Sequence, residues 1–344
     1  MKIDNPIQQA VQLLQQGKLV AFPTETVYGL GADAKNPTAL ASIFRAKGRP
    51  IDHPLIVHLA EISQLDYWVI NITPAAAALA RAFWPGPLTL IFKKTPPVLD
   101  MISGGQDTVG IRIPNHPIAN KLLKNFGGGL AAPSANRFGR ISPTTADAVQ
   151  EELGESVDLV LDGGQCEGGI ESTIVDVSSD VPILLRPGMI PKVQIESILQ
   201  YSIQSFEKYS TQNFLQSDIC HPQKNHQKHV PRVSGSHESH YAPETKTYLI
   251  ETKQIPQFIE TIKADQLPMA FLLIKTKLLP RDQIECITMS TDPRQYAYTL
   301  YANLRKLDKK HYKQIVIESV PAMNEEWDAV RDRLSRASLG HVVC

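Results

Sequence analysis

Two short apolar runs near the N-terminus, Leu19–Phe22 and Leu55–Leu59, constrain most of what this chain can fold into. Each has the length and the branched or aromatic content of a buried strand. Each is also joined to a polar element that no core requires. Pro23-Thr24-Glu25-Thr26 leaves the first run, and Lys47-Gly48-Arg49-Pro50 precedes the second. Taken singly, either element reads as a capped turn or a solvated charge. Together, at the ends of two buried strands, hydroxyls and fixed cations favour a pocket for an anionic ligand.

The flanking sequence supplies strands and helices in alternation. Asn5-Pro6 and Asn36-Pro37 are helix starts, each with an Asn cap and Pro at the first helical position. They predict helices to about Gln16 and about Arg45. Thr73 caps a third helix, Pro74–Phe83, and Trp84-Pro85-Gly86-Pro87 is a rigid turn. Leu88–Phe92 and Val109–Ile113 read as strands and Pro117–Phe126 as a helix. A short strand at Leu130 breaks into the small-residue loop Pro133-Ser134-Ala135-Asn136, where backbone could approach a ligand closely. A helix over Thr145–Leu153, a strand over Leu159–Asp162, paired strands Ile174–Val177 and Ile183–Leu185 and a helix Pro191–Leu199 complete an α/β unit over residues 1–203.

Residues 204–243 differ in composition. They are polar, rich in Gln, Ser, Lys and His, and read as a linker or an active-site cover. Their histidines (His221, His226, His229, His237 and His240) show no metal-ligand spacing, so no protein-side metal site is expected. Residues 244–344 return to an α/β pattern: strands at Thr247–Ile250, Met269–Ile274, Ile284–Met289 and Gln314–Glu318, with helices at Ile255–Ile262, Pro293–Leu307 and Trp327–Ala337. This second unit shows no chemical constellation; Trp327, Arg331 and Arg336 read as packing and helix surface.

At 344 residues two domains are the natural expectation. Lys and Arg number 35 and Asp and Glu 35, so the formal charge is zero and the chain as a whole is no electrostatic nucleic-acid binder. No apolar run is long enough to span a bilayer, and the N-terminus has no signal-peptide core. Cys166, Cys220, Cys286 and Cys344 form neither a Cys-x-x-Cys pair nor a zinc spacing, which fits free thiols and a cytoplasmic location.

The polar groups at strand ends in the first unit are cationic and hydroxylic: Thr24, Thr26, Lys47, Arg49, His53, His58, Arg112, Ser134, Asn136, Ser142, Ser172 and Arg186. A nucleophile elbow, a Cys–His pair, a zinc-protease motif and paired carboxylates are all absent. Guanidinium forks and a lysine point charge suit a polyphosphate. The sequence has no Walker A or G-x-G-x-x-G loop, so a nucleotide would be held in a non-standard way. Nucleotidyl or phosphoryl transfer fits such a set, since positioning and electrostatics can carry it with a divalent ion on the phosphates.

Several segments resemble the YrdC-type threonylcarbamoyl-AMP synthases: Pro23-Thr24-Glu25-Thr26-Val27-Tyr28-Gly29-Leu30, Lys47-Gly48-Arg49-Pro50, Pro54-Leu55-Ile56-Val57-His58, Trp84-Pro85-Gly86-Pro87-Leu88-Thr89, Ala132-Pro133-Ser134-Ala135-Asn136, Glu171-Ser172-Thr173 and Leu185-Arg186-Pro187-Gly188. The family signature of Lys-x-Arg with Ser-x-Asn is here Lys47/Arg49 and Ser134/Asn136. The second unit and its His240-Tyr241-Ala242-Pro243 junction resemble the two-domain branch. The resemblance implies a twisted mixed sheet with a concave basic face, followed by a small Rossmann-like α/β domain. It implies synthesis of threonylcarbamoyl-AMP and pyrophosphate from L-threonine, bicarbonate or CO2, and ATP with Mg2+. The product would pass to a tRNA threonylcarbamoyl transferase, with direct tRNA contact left open.

Carried over residue by residue, the resemblance implies a threonine site at Thr26, His58, Arg112, Ala132 and Ser172. It implies an ATP site at Arg49, His53, Thr108, Ser134, Ser142, Arg186 and Tyr241. Lys47, Arg49, Ser134 and Asn136 would act at the phosphates. Two departures from the family pattern stand out: His53, where relatives often have Asn, and Val-Ser-Gly-Ser-His-Glu-Ser-His-Tyr at 233–241, where many have Pro-Gly-Met-Lys-Tyr-Lys-His-Tyr.

Three other readings compete. An RNA-binding module is disfavoured by zero net charge and few aromatics beside the basic residues. A carbamoyl-transfer enzyme of the hydrogenase-maturation type would carry acylphosphatase and zinc-finger segments upstream. A catalytically inert paralogue is disfavoured because all four signature residues are present.

Overall fold

The computed structural model describes residues 5–205, 231–235, 240–278 and 281–338. His221, His226, His229, His237, Cys220 and Cys344 lie outside the described residues.

Helix starts follow the capping logic closely. The side chains of Asn5, Asn36, Thr73 and Thr145 each accept a backbone N–H of the first turn, opening α1 (Pro6–Gln15), α2 (Pro37–Lys47), α3 (Pro74–Phe83) and, after a four-residue α4 (Asp100–Ser103) and α5 (Pro117–Phe126), α6 (Ala146–Leu153). α7 spans Lys192–Leu199. Gly48 ends α2 at φ 60°, a left-handed C-cap that costs a residue with a Cβ considerably more. That turn puts Lys47 on the helix and Arg49 just beyond it.

Eleven strands form one mixed sheet. In chain order they are β1 (Val20–Phe22), β2 (Gly29–Asp33), β3 (Ile56–His58), β4 (Val69–Ile70), β5 (Leu88–Lys94), β6 (Thr108–Arg112), β7 (Leu130–Ala131), β8 (Leu159–Val160), β9 (Thr173–Asp176), β10 (Ile183–Arg186) and β11 (Gln204–Ser205). Their spatial order is β11-β10-β9-β5-β6-β3-β7-β2-β1-β8, with β4 on β5. β3 and β6 run parallel with His58 opposite Arg112, so the two residues end adjacent strands at the same level. Large apolar clusters fill both faces, one around Leu30, Ile43, Val57 and Ile111, the other around Leu14, Phe22 and Leu122.

β2 departs from the sequence expectation, which placed no strand there. Two glycines break its apolar pattern, and Gly31 lies where a Cβ would come within 2.8 Å of the Phe22 ring, so the strand packs by having no side chain. β4, β11 and α4 also escaped expectation because two to four residues carry no periodicity.

The second unit has a parallel sheet of β12 (Thr247–Ile250), β13 (Met269–Leu273), β14 (Ile284–Thr288) and β15 (Gln314–Glu318), in the order β12-β15-β13-β14. Its helices are α8 (Ile255–Glu260), α9 (Pro293–Asp308) and α10 (Asp328–Ala337). Glu318 ends β15, and its carboxylate accepts the backbone N–H groups of Ile274, Lys275 and Thr276 at 2.8, 3.0 and 3.1 Å. Those amides, at the C-terminal end of a parallel strand, are where a Rossmann-like domain would receive an anion. Here the chain's own carboxylate takes them.

The two units share a core. Val27, Ile141, Ile170 and Tyr241 belong to the same buried cluster as Leu300, Tyr301, Leu304 and Leu334 of α9 and α10.

Candidate functional site

One cleft opens where β1, β3, β6 and β10 end and β9 begins. It is lined by Thr26, His58, Arg112, Ala132 and Ser172, all five residues expected at threonine. Arg49, Ser134, Arg186 and Tyr241 of the expected ATP set line the same cleft.

The remaining expected residues sit behind the wall. Lys47 is buried, and its ammonium donates to the backbone oxygens of Ser134, at 2.5 Å, and Asn136. Burial, with Arg49 nearby, holds its pKa well below the ordinary lysine value. Asn136 donates to the oxygens of Arg137 and Arg140, while its own Oδ1 is buried without a hydrogen-bond partner. Thus the Lys-x-Arg and Ser-x-Asn elements interlock: the lysine shapes the loop that presents Ser134. Ser142 donates to Glu171 Oε1 at 2.6 Å. The His53 ring sets its edge on Phe138 at 4.9 Å, and Phe138 lies 5.7 Å below the Arg49 guanidinium. Thr108 lines a smaller adjoining hollow with Gln106, Arg232 and Val233.

Three guanidinia dominate the electrostatics. Arg112 pairs with Glu25 at 2.8 Å, both buried, and donates to Thr26 Oγ1 at 2.9 Å. Arg49 and Arg186 are also buried, yet among the described residues neither has a carboxylate within ion-pair distance. Neutral oxygens hold them instead. Arg49 Nη2 donates to Pro54 O at 2.9 Å and Ser234 Oγ at 3.2 Å; Arg186 donates to Ser172 O at 2.9 Å and Ser234 O at 2.8 Å. Two buried positive charges without a countercharge are costly unless a ligand completes them. His58 adds no charge: burial, reinforced by Arg112, lowers its pKa to about 3, so it stays neutral with Nδ1 unpartnered.

The sequence reasoning missed several participants. Ser234 and Gly235 line the cleft, and their neighbour Val233 packs on Ile91, Ile174 and Ile183. Gly235 has φ +84°, and a Cβ there would fall 2.2 Å from the Tyr241 hydroxyl. His240 lines the cleft beside Tyr241, at 4.1 Å between ring centres. Tyr241 holds φ 62°, an uncommon conformation for an aromatic residue, and stacks on Tyr301 at 5.9 Å.

The second unit also corrects the expectation that it holds no chemical constellation. Trp327 is packed on Tyr296, and Arg331 and Arg336 pair locally with Asp328 and Asp332, as expected of packing and helix surface. Arg333, however, is wholly buried and pairs with Glu171 of the cleft at 2.7 Å. A signal was available: Ala329, Val330, Arg333, Leu334 and Ala337 form one buried helical stripe, with an arginine where an apolar residue belongs.

No group of three or more His, Cys, Asp or Glu side chains that could hold a metal ion occurs among the described residues. No helix among them is long and apolar enough to cross a membrane.

Known proteins resemble this chain along nearly its whole length. Residues 12–188 match the Sua5/YciO/YrdC family, described as "Telomere recombination", and residues 190–338 match the "Threonylcarbamoyl-AMP synthase, C-terminal domain" family. A threonylcarbamoyl-AMP synthase of Bacillus subtilis is 37% identical over 99% of this chain and 95% of its own length. One from Pyrococcus abyssi is 48% identical over 56% of this chain and 57% of its own. The crystal structure of P. abyssi Sua5 complexed with L-threonine superposes with a TM-score of 0.86 at 34% identity, covering 98% of this chain and 95% of that one. The chain therefore belongs to the Sua5/YrdC family of threonylcarbamoyl-AMP synthases, in its two-domain form.

Proposed function

We propose that this enzyme joins L-threonine, bicarbonate or CO2, and MgATP into threonylcarbamoyl-AMP and pyrophosphate, acting as a nucleotidyltransferase in the cytoplasm. The observation that carries the reading is the pair of buried guanidinia, Arg49 and Arg186, in one cleft with no carboxylate partner among the described residues. An anionic triphosphate supplies the missing countercharge. The relative from P. abyssi with L-threonine bound supports threonine as the second occupant.

In this reading Arg112, steadied by Glu25, takes the threonine carboxylate, and Thr26 and Ser172 offer hydroxyls. His58, neutral at physiological pH, accepts a hydrogen bond without adding charge. The threonine amine attacks CO2 to give a carbamate. A carbamate oxygen then attacks the α-phosphorus, and pyrophosphate leaves. Both partners are anionic, so the reaction needs the cations that converge here. A magnesium ion, if bound, would be held chiefly by the ATP phosphates, where it would offset phosphate charge beside Arg49 and Arg186. Tyr241 and the Ser234–Gly235 segment limit water around a carbamate that water would destroy. The product is a mixed anhydride, which an acyl-accepting tRNA modification step consumes.

The test is threonine-dependent pyrophosphate release. Wild type should release pyrophosphate with L-threonine and bicarbonate, and with L-serine at roughly 10- to 200-fold lower kcat/KM, since one methyl separates them. Arg49→Ala should lose about 100-fold or more. A folded wild-type protein that releases none under any condition would overturn the synthase reading.

A further inference from the structure

We propose that Arg333 and Tyr301 of the second unit are positioning residues for the synthase site, holding Glu171 and, through it, the two segments that present Ser172 and Arg186. The inference rests on the synthase reading and deepens it: the second unit completes the site.

The geometry is specific. Glu171 Oε2 accepts from Arg333 Nε at 2.7 Å and from the Tyr301 hydroxyl at 3.0 Å, and Oε1 accepts from Ser142 at 2.6 Å. Every Glu171 oxygen is thus committed, two of its three donors coming from helices α9 and α10. The neighbouring Ser172 carbonyl receives Arg186. Arg333 Nη1 also donates to Pro187 O at 3.1 Å, the residue after Arg186, and its guanidinium lies 5.0 Å from the centre of the Tyr241 ring. One wholly buried side chain therefore touches three separate cleft-bearing segments: Glu171-Ser172, Arg186-Pro187 and Tyr241. The turn after Arg186 has little room to relax, because a Cβ on Gly188 would fall 2.3 Å from the Thr173 nitrogen.

Arg333 pairs directly with both Glu171 and Asp332, whereas Arg186 acts on them from beyond ion-pair distance. Burial alone would raise the Glu171 carboxyl; Arg333 and Arg186 outweigh it and hold it ionised below its ordinary value. Removing Arg333 leaves a buried carboxylate with one guanidinium fewer, so its pKa rises.

The experiment uses the full chain as wild type, Arg333→Met, Arg333→Lys and Tyr301→Phe. Threonine-dependent pyrophosphate release is measured from pH 4 to 9, and the Glu171 carboxyl is titrated by 13C NMR in glutamate-labelled protein. Arg333→Met should lose about 100-fold in kcat/KM, with the acid limb of its profile moved up by about one pH unit. Arg333→Lys should recover part of both. Tyr301→Phe, which keeps the ring stack, should lose about 10-fold and move the limb the same way. A folded Arg333→Met or Tyr301→Phe protein with wild-type rate and limb would overturn the proposal. So would an unshifted Glu171 titration, which is read without turnover. If Arg333→Met does not fold, Tyr301→Phe decides alone. A wild-type protein without turnover but with a Glu171 titration shifted in the variants would sink the synthase reading and leave the positioning role standing.

Discussion

His58 ends β3 with its ring fully inside the protein and one nitrogen without a partner. Burial, then Arg112, lower its pKa to about 3, far below the value near 6.5 it has when unfolded. The sign follows from linkage. Between those two values the unfolded chain binds a proton that the folded chain does not, so stability is fully present above about pH 6.5 and is lost as pH falls through the window. At pH 4.5 this one group should cost about 2–3 kcal/mol. His240 is depressed in the same direction by burial and by Arg49 and Lys47, and steepens the loss. Urea unfolding at pH 7 and pH 4.5 of wild type and His58→Asn checks it: the variant should show a visibly shallower pH dependence, and equal slopes would remove His58 from the account. His58 and Arg112 were legible in the sequence because polar residues at the ends of apolar strands are rare enough to be noticed. The helical stripe could have marked Arg333 as buried, but not its partner: Glu171 lies more than a hundred residues from both Arg333 and Tyr301, and nothing local connects them.

At the scale of elements, the cleft depends on segments that leave regular structure. α2 delivers Lys47 and Arg49 through the left-handed Gly48, and the caps that start α2 and its companions were readable residue by residue. Strand β2 was not, since glycines that pack against Phe22 erase the pattern that marks a strand. The Arg232–Gly235 segment was unreadable for another reason: its order comes from what it docks on. Arg232 exchanges hydrogen bonds with Gln106, Val233 enters an apolar hollow, and Ser234 reaches both Arg49 and Arg186. Gly235 makes that seating possible, with φ +84° and its Cα against the Tyr241 hydroxyl. Gly235→Ala should therefore unseat the segment while leaving the sheet intact. The expected result is a Tm within about 2 °C of wild type with a several-fold rise in KM for ATP, seen by calorimetry and pyrophosphate release. A large drop in Tm would show instead that the segment is part of the global fold.

At the scale of the whole molecule, chain length and the strand and helix pattern led to two α/β units, but an even charge balance says nothing of where the charges meet. They meet between the units. Arg305 of α9 pairs with Glu152 at 2.8 Å and donates to Ile141 O at 2.7 Å. Asp308 receives Arg140 at 3.1 Å and the backbone N–H groups of Glu244 and Thr245 at 3.0 and 2.8 Å. Lys309 with Glu151 is exposed and contributes little. The buried cluster shared by Val27, Ile141, Leu300 and Tyr301 adds apolar contact that neither unit could cover alone. A junction with this much buried apolar and polar contact should couple the two units, so the wild-type chain should unfold in a single calorimetric transition. Asp308→Ala strands the backbone donors of Glu244 and Thr245, at a cost of about 2–4 kcal/mol, and Arg305→Ala removes the strongest ion pair of Glu152. The double variant should separate the endotherm into two, the lower one belonging to the four-stranded unit, whose sheet is small. Since Arg333 and Tyr301 depart with that unit, pyrophosphate release should fall at the first transition, while most of the secondary structure remains. Two transitions already present in the wild type, with activity persisting past the first, would show the units to be independent and the junction to be mere contact.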